Sequence, residues 1–204
     1  MGNTVRPIGL RCGSPMKPPI LRTKRLLLRR WTGGDREFFA QINADAEVMR
    51  YRFKSLTRQE SDDLIDKIEA DFDQHGFGQW AVERLEDRRV IGFIGLEVAE
   101  NDPPYSPPVH IGWHLSRDVW GCRYATEGAS AALDYVFGEV GLSEVVSHTT
   151  SVNRRSRDVM RRLGMSHSKT DDFDGPWYPV GHPYRRFVLY RMTAANWQAR
   201  RSLA

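Results

Sequence analysis

From Val109 to Gly164 the chain changes its hydrophobic period segment by segment, and that order restricts the fold more than any other feature of its 204 residues. "VHIGWHL" sets Val109, Ile111, Trp113 and Leu115 on one side and His110, Gly112 and His114 on the other, the alternation of a strand. "YATEGASAALDYVFGEVG" places Ala125, Ala129, Ala132, Val136 and Val140 on one helical face and closes at Gly141. "SEVVSHTTS" returns to a strand and "NRRSRDVMRRLG" to a helix. Two strands joined through a helix lie parallel when they share a sheet, because only a crossover connects them.

The segments before this unit predict antiparallel pairing. "QWAVERL" and "RVIGFIGLEVA" flank the charged turn "EDR" and read as a hairpin. "RLLLRRW" is a further strand, and the helical stripe Phe38, Phe39 and Ile42 follows the break at Gly33 and Gly34. Thr57 and Glu60 form a capping box ahead of Leu64, Ile65, Ile68 and Phe72 at helical spacing, with Gly76 as the stop. "RFVLYRMT" ends the pattern as a last strand. The expectation is an α/β chain of the α+β type, one domain with a mixed central sheet of about six to seven strands flanked by helices.

The totals agree with one core: hydrophobic residues make up 40% of the chain and charged residues 27%. Residues 1–20, rich in Pro and Gly and without a period, read as a flexible extension, and residues 21–204 as the domain. No apolar run approaches the roughly 20 residues that cross a bilayer, so the expectation is a soluble cytoplasmic protein without a membrane partner. A net charge of +4 suits a small anionic ligand but falls short of a nucleic-acid stripe. Cys12 and Cys122 cannot build a disulfide framework or a four-ligand zinc site. His110 and His114 are four strand residues, about 13 Å, apart along the chain, too far to share a metal. No metal is expected.

The turn "WGCRYATEG" stands directly before the first of the two helices. A helix start leaves amide hydrogens unpaired and carries about half a unit of positive charge, which attracts phosphate. Ordinary structural turns share this pattern, so the turn alone decides nothing. On the second helix Ser156, Val159, Met160 and Leu163 share one face while Arg154, Arg155, Arg157, Arg161 and Arg162 lie off it. Asn153 is placed either to cap that helix or to touch a ligand.

"GWHLSRDVWGCRYATEGASAALDYVF" followed by "VNRRSRDVMRRLGM" resembles the acetyl-CoA-binding core of the GNAT N-acetyltransferases, nearest the RimJ/RimL-type branch, over roughly residues 21–195. The resemblance implies acetyl-CoA as co-substrate. Gly121, Cys122, Arg123, Tyr124, Ala125 and Thr126 would hold its diphosphate, His114 and Leu115 would border the pantetheine, and Asn153 and Ser156 match family positions near the cofactor. Asp118 and Arg123 depart from the pattern, which wants Gln or Arg at the first and Gly or Ala at the second. Arg123 is expected to point outward, either toward phosphate or into solvent, and a required positive backbone angle there would weaken binding.

Direct acyl transfer to an amine needs a base for the nucleophile and a proton for the departing thiolate. Where relatives carry a Glu, this chain has His110, whose imidazole titrates near neutral pH and is the base candidate. Gly112 would leave room beside it for the acyl group. Met160 replaces the tyrosine acid of many relatives, leaving Ser156 or water. The long segment "DDFDGPWYPVGHPYR" offers Trp177, Tyr178 and His182 as a substrate-side lid, or else packs on the core or a second subunit; a homodimer stays open. Two functions fit. One is an acetyl-CoA-dependent N-acetyltransferase acting on a protein N-terminus or a small amine, an antibiotic included. The other is a non-catalytic acyl-CoA sensor or scaffold of the same shape.

Overall fold

The structure, a computed structural model, describes residues 20–52, 54–99, 103–176 and 178–203. The elements run β1 (Leu21–Arg22), β2 (Leu26–Arg29), α1 (Arg36–Ala44), α2 (Ala46–Met49), α3 (Arg58–His75), β3 (Gln79–Arg84), β4 (Val90–Val98), β5 (Val109–Leu115), α4 (Tyr124–Tyr135), β6 (Glu144–Thr150), α5 (Arg154–Leu163), β7 (Ser166–His167), β8 (Phe173–Asp174), β9 (Arg186–Thr193) and α6 (Ala194–Arg201). They build one nine-stranded sheet in the order β1-β2-β3-β4-β5-β6-β9-β7, with β8 also on β9. Three of the nine, β1, β7 and β8, are two-residue strands that no period can announce; the remaining six match the expected number.

Every pairing is antiparallel except β5 with β6, which α4 connects by the expected crossover. The Thr57 and Glu60 capping box forms at the start of α3, and Gly76 ends that helix in the left-handed conformation. Ala129, Ala132 and Val136 are fully buried on the predicted face of α4. That helix lies close on the sheet because Gly128 carries no side chain: a Cβ there would stand 2.5 Å from Ile94 Cδ1. Trp80, Phe39, Phe72 and Phe77 are among the largest buried side chains, each contributing about 2 to 3 kcal/mol relative to exposure. The pattern did not foretell α6. Thr193 caps it through the Asn196 amide, and buried Trp197 anchors it by donating Nε1–H to Asp134 at 2.9 Å. No helix among the described residues is long and apolar enough to cross a membrane.

Candidate active site

The strand, turn and helix order fixes one end of the site. Trp120 turns the chain out of β5 by donating Nε1–H to the Leu115 carbonyl at 3.0 Å, and the Arg155 guanidinium covers its ring at 4.3 Å, bracing the turn against α5. Gly121 and Arg123 both take positive φ, 84° and 64°. The turn therefore does impose the left-handed backbone on Arg123, at a cost of about 1 to 2 kcal/mol. The amides of Arg123, Tyr124, Ala125 and Thr126 have no carbonyl partner among the described residues, and no side chain caps the helix. Thr126 Oγ1 is buried and also without a partner. These are the donors an anion needs.

The Arg123 side chain is exposed and joins Arg25, Arg161, Arg162 and Arg200 around a groove of about 480 Å³ beside the turn. Arg25 is paired with Glu127 at 2.7 Å. Asp118, the other departure from the family pattern, pairs with Arg89, so its charge is offset. Cys122 is an exposed free thiol.

Next to the turn, β5 and β6 pair at one position only, His110 opposite Val146. Ser147 Oγ then donates to the Ile111 carbonyl at 2.8 Å, and residues 112–115 have no ladder partner on that side among the described residues. The strands separate toward the turn, leaving one edge of β5 open to an extended ligand. Leu115 is buried in the core. Asn153 spends both ends of its amide internally: Oδ1 accepts from the Ser156 amide at 3.3 Å and Nδ2 donates to Thr149 Oγ1 at 3.0 Å. Ser156 is half-buried at the start of α5, and Met160 lies in the core.

The rung where β5 and β6 meet holds the titratable groups. Opposite His110 on β4 stands Glu97, with Oε1 3.4 Å from His110 Nδ1. A carboxylate thus stands across the ladder from position 110, where the resemblance implies one. Glu97 Oε2 accepts from Gln79 Nε2 at 3.0 Å, yet the side chain remains 43% exposed. Burial works to raise its pKa; the close approach and charge of His110, with Arg52 and His148, outweigh that and hold it at about 2.

The His110 ring lies over Gly112, where a Cβ would meet His110 Cε1 at 3.2 Å. The room expected above Gly112 for an acyl group is filled by this imidazole. Neither ring nitrogen of His110 reaches solvent or finds a hydrogen-bond partner of good geometry. His148, on β6 two residues beyond the rung, packs on it with ring centroids 4.3 Å apart, and His148 Nε2 lies 3.3 Å from the Tyr105 hydroxyl. Burial, and after it the His110 charge, lowers the His148 pKa well below its usual value.

His114 faces the same way as His110 but is packed between Phe39 and Phe93. Its Nε2 stands 2.9 Å from Asn43 Oδ1, and Asn43 Nδ2 donates to Ser61 Oγ at 2.9 Å. Burial pushes this imidazole far below its usual pKa too. Its side chain braces α1 and α3 against β5, so only its backbone borders the open edge.

The segment after α5 packs onto β9 rather than hanging free. Phe173 stacks on Phe187 at 5.4 Å, and both contact the His148 ring. Tyr178 stacks on His182 at 4.7 Å and donates its hydroxyl to the Tyr51 carbonyl. Trp177 lies outside the described residues, as does Cys12. Sequence reasoning missed Glu97, Tyr105, His148 and Arg52. Only the β4/β5 register and the β5/β6 rung, both tertiary, bring Glu97 and His148 to His110, and Tyr105 comes in from the loop between β4 and β5.

Residues 25–166 match the model of the GNAT acetyltransferase domain. The chain belongs to the GNAT acetyltransferase family. It is 31% identical over 189 residues to the FsC-acetyl coenzyme A-N(2)-transacetylase of Aspergillus fumigatus, an alignment covering 88% of this chain and 78% of the relative. A GNAT acetyltransferase from Bacillus anthracis superposes with TM-score 0.71 at 21% identity, covering 87% of this chain and 99% of that one. The spermidine N-acetyltransferase of Vibrio cholerae, solved with CoA and spermine, gives TM-score 0.68 at 18% identity over 86% and 99% of the two chains. The GNAT chain is accordingly an acyltransferase, which decides against the non-catalytic sensor. Among the described residues no group of three or more His, Cys, Asp or Glu side chains could hold a metal ion.

Proposed function

We propose that this GNAT enzyme moves an acetyl group from acetyl-CoA directly to a primary amine. The observation that carries the proposal is the meeting of two half-sites at one break in the sheet: unpaired amides at the head of α4 on one side, the Glu97 and His110 rung on the other. Acetyl-CoA would supply the activated acyl group and a thiol leaving group. The amides of residues 123–126 would take its diphosphate, with Thr126 Oγ1 and the arginine groove beside them. The open edge of β5 would pair with the pantetheine arm.

Glu97, ionised at any physiological pH, would receive the acceptor's ammonium beside the rung. The neutral form of His110, 3.4 Å from Glu97 Oε1, would take a proton from that ammonium, freeing the nitrogen lone pair to attack the thioester carbonyl. The N–C bond then forms and the C–S bond breaks; the nitrogen sheds its second proton to water, and the thiolate takes one from water, directly or through Ser156, which is reprotonated by that water. The Aspergillus fumigatus relative is named for transfer from acetyl coenzyme A to a nitrogen, and the Vibrio cholerae structure holds CoA with an amine. The test is release of free CoA thiol across an amine panel. Amine-dependent release that collapses in His110→Ala supports the proposal; turnover unchanged in that variant removes His110 as base.

A further inference from the structure

His148 and Tyr105 take no part in the transfer chemistry, yet they are packed against the proposed base. His110 has no hydrogen-bond partner of good geometry at either ring nitrogen, so packing must hold its imidazole. The Gly112 backbone lies beneath the ring, with the place of a Cβ 3.2 Å from Cε1, and the His148 ring packs on it at 4.3 Å and 38°. His148 is held on its other sides in turn. Phe173 and Phe187 meet it edge-on at 5.6 Å and 5.7 Å, and the Tyr105 hydroxyl lies 3.3 Å from its Nε2. Among the described residues this is the one hydrogen bond of the His148 imidazole, since Nδ1 is buried without a partner. Tyr105 belongs to the connection between β4 and β5, which is itself anchored: the Ala99 amide donates to the Pro108 carbonyl at 2.7 Å, and Arg191 on β9 donates to the Ser106 carbonyl. Burial keeps the Tyr105 phenol un-ionised, its pKa pushed up to about 12, and keeps His148 neutral. A proton taken up by His110 therefore meets no like charge on the ring stacked against it. The charges of Glu97 and Arg52 also reach His148.

We infer that His148 is a positioning residue for His110 and that the Tyr105 hydroxyl fixes His148 in turn, so that the connection between β4 and β5 sets the aim of the base. The stack supplies contact. The hydrogen bond removes the other rotamers of His148, and with them the room for His110 to tilt. The inference rests on the reading of His110 as base in acyl transfer and deepens it.

The test measures thiol release from acetyl-CoA, with the most active amine of a panel holding spermine, phenethylamine and glycinamide, in wild type, Tyr105→Phe, His148→Phe, the double variant and His148→Ala. Loss of one neutral hydrogen bond predicts that Tyr105→Phe lowers kcat roughly three- to tenfold, with KM and the calorimetric affinity for acetyl-CoA unchanged. His148→Phe keeps the stack and loses the same bond, so it should fall by the same factor and the double variant no further. His148→Ala, which removes the stack, should fall roughly ten- to hundredfold. Because that variant also opens a cavity, the cycle between Tyr105→Phe and His148→Phe decides. Wild-type kcat in Tyr105→Phe, a double variant that multiplies the two single losses, or a loss confined to KM overturns the inference. Nitrogen NMR of the histidine rings gives a reading without turnover: one tautomer of His148 in wild type and a mixture in Tyr105→Phe are expected, and equal populations in the two overturn the inference. If wild type releases no thiol with any of the amines, the acyl-transfer reading falls, while the NMR still decides whether Tyr105 orders His148.

Discussion

The two ends of the site are made of different material. At the head of α4 the unpaired donors are backbone amides, and they remain in place although Arg123 sits in a strained left-handed conformation with its side chain turned to the groove. At the rung between β5 and β6 the working groups are side chains from β4, β5 and β6, each held by another. A site built from backbone survives substitution because the fold supplies its donors. A site built from side chains can change its residue types only if a neighbour compensates, the part proposed above for Glu97 opposite His110.

Breaking the side-chain end should have the largest effect. Glu97→Gln and His110→Ala are each expected to lower kcat about 100-fold or more while leaving the calorimetric affinity for acetyl-CoA within twofold. A shift in coenzyme affinity with kcat intact would show that the ends are not separate.

Acid should weaken the same end next. His114 and His148 are held neutral in the fold, so below their ordinary value of 6.5 only the unfolded chain takes up their protons. Stability is constant above that pH and falls below it, by at most about 1.4 kcal/mol per pH unit for each histidine. Urea denaturation at pH 7.5 and 5.5 measures this, and His148→Asn should make the slope shallower. Glu97 adds a further loss at lower pH: its depressed pKa stabilises the fold above 4.5 and that contribution fades as pH falls toward 2.

At the backbone end the effects are smaller and split cleanly. Arg123→Ala keeps the left-handed strain but removes a groove charge; acetyl-CoA affinity should fall roughly three- to tenfold, more at low salt. Arg123→Gly removes the same charge and also relieves the strain, so it should bind like the alanine variant yet melt a few degrees higher, for a gain of about 1 kcal/mol. Much tighter binding by the glycine variant would mean that the arginine obstructs the turn.

The same contrast explains what could be read from the sequence. The α4 turn, the crossover and the capped helices are local: each is written in a few adjacent residues, such as Thr57 with Glu60 or the "WGCRYATEG" run, and each stands where the pattern put it. His110 was visible through its place in the resemblance. Glu97 was hidden because its meaning depends on antiparallel register, and His148 because it depends on a single parallel rung. Asn153 and His114 show the reverse failure, since their matching positions said nothing of the internal hydrogen bonds that occupy their side chains.

Because β5 and β6 share one rung, the sheet is two half-sheets joined narrowly beside His110. A pantetheine arm lying along the β5 edge would act as a splice between them. Loading the donor would then stiffen the C-terminal half before any amine arrives, so that the spacing of His110 and His148 across the rung is set only on a charged enzyme. Order of addition, donor first, would follow from the architecture itself.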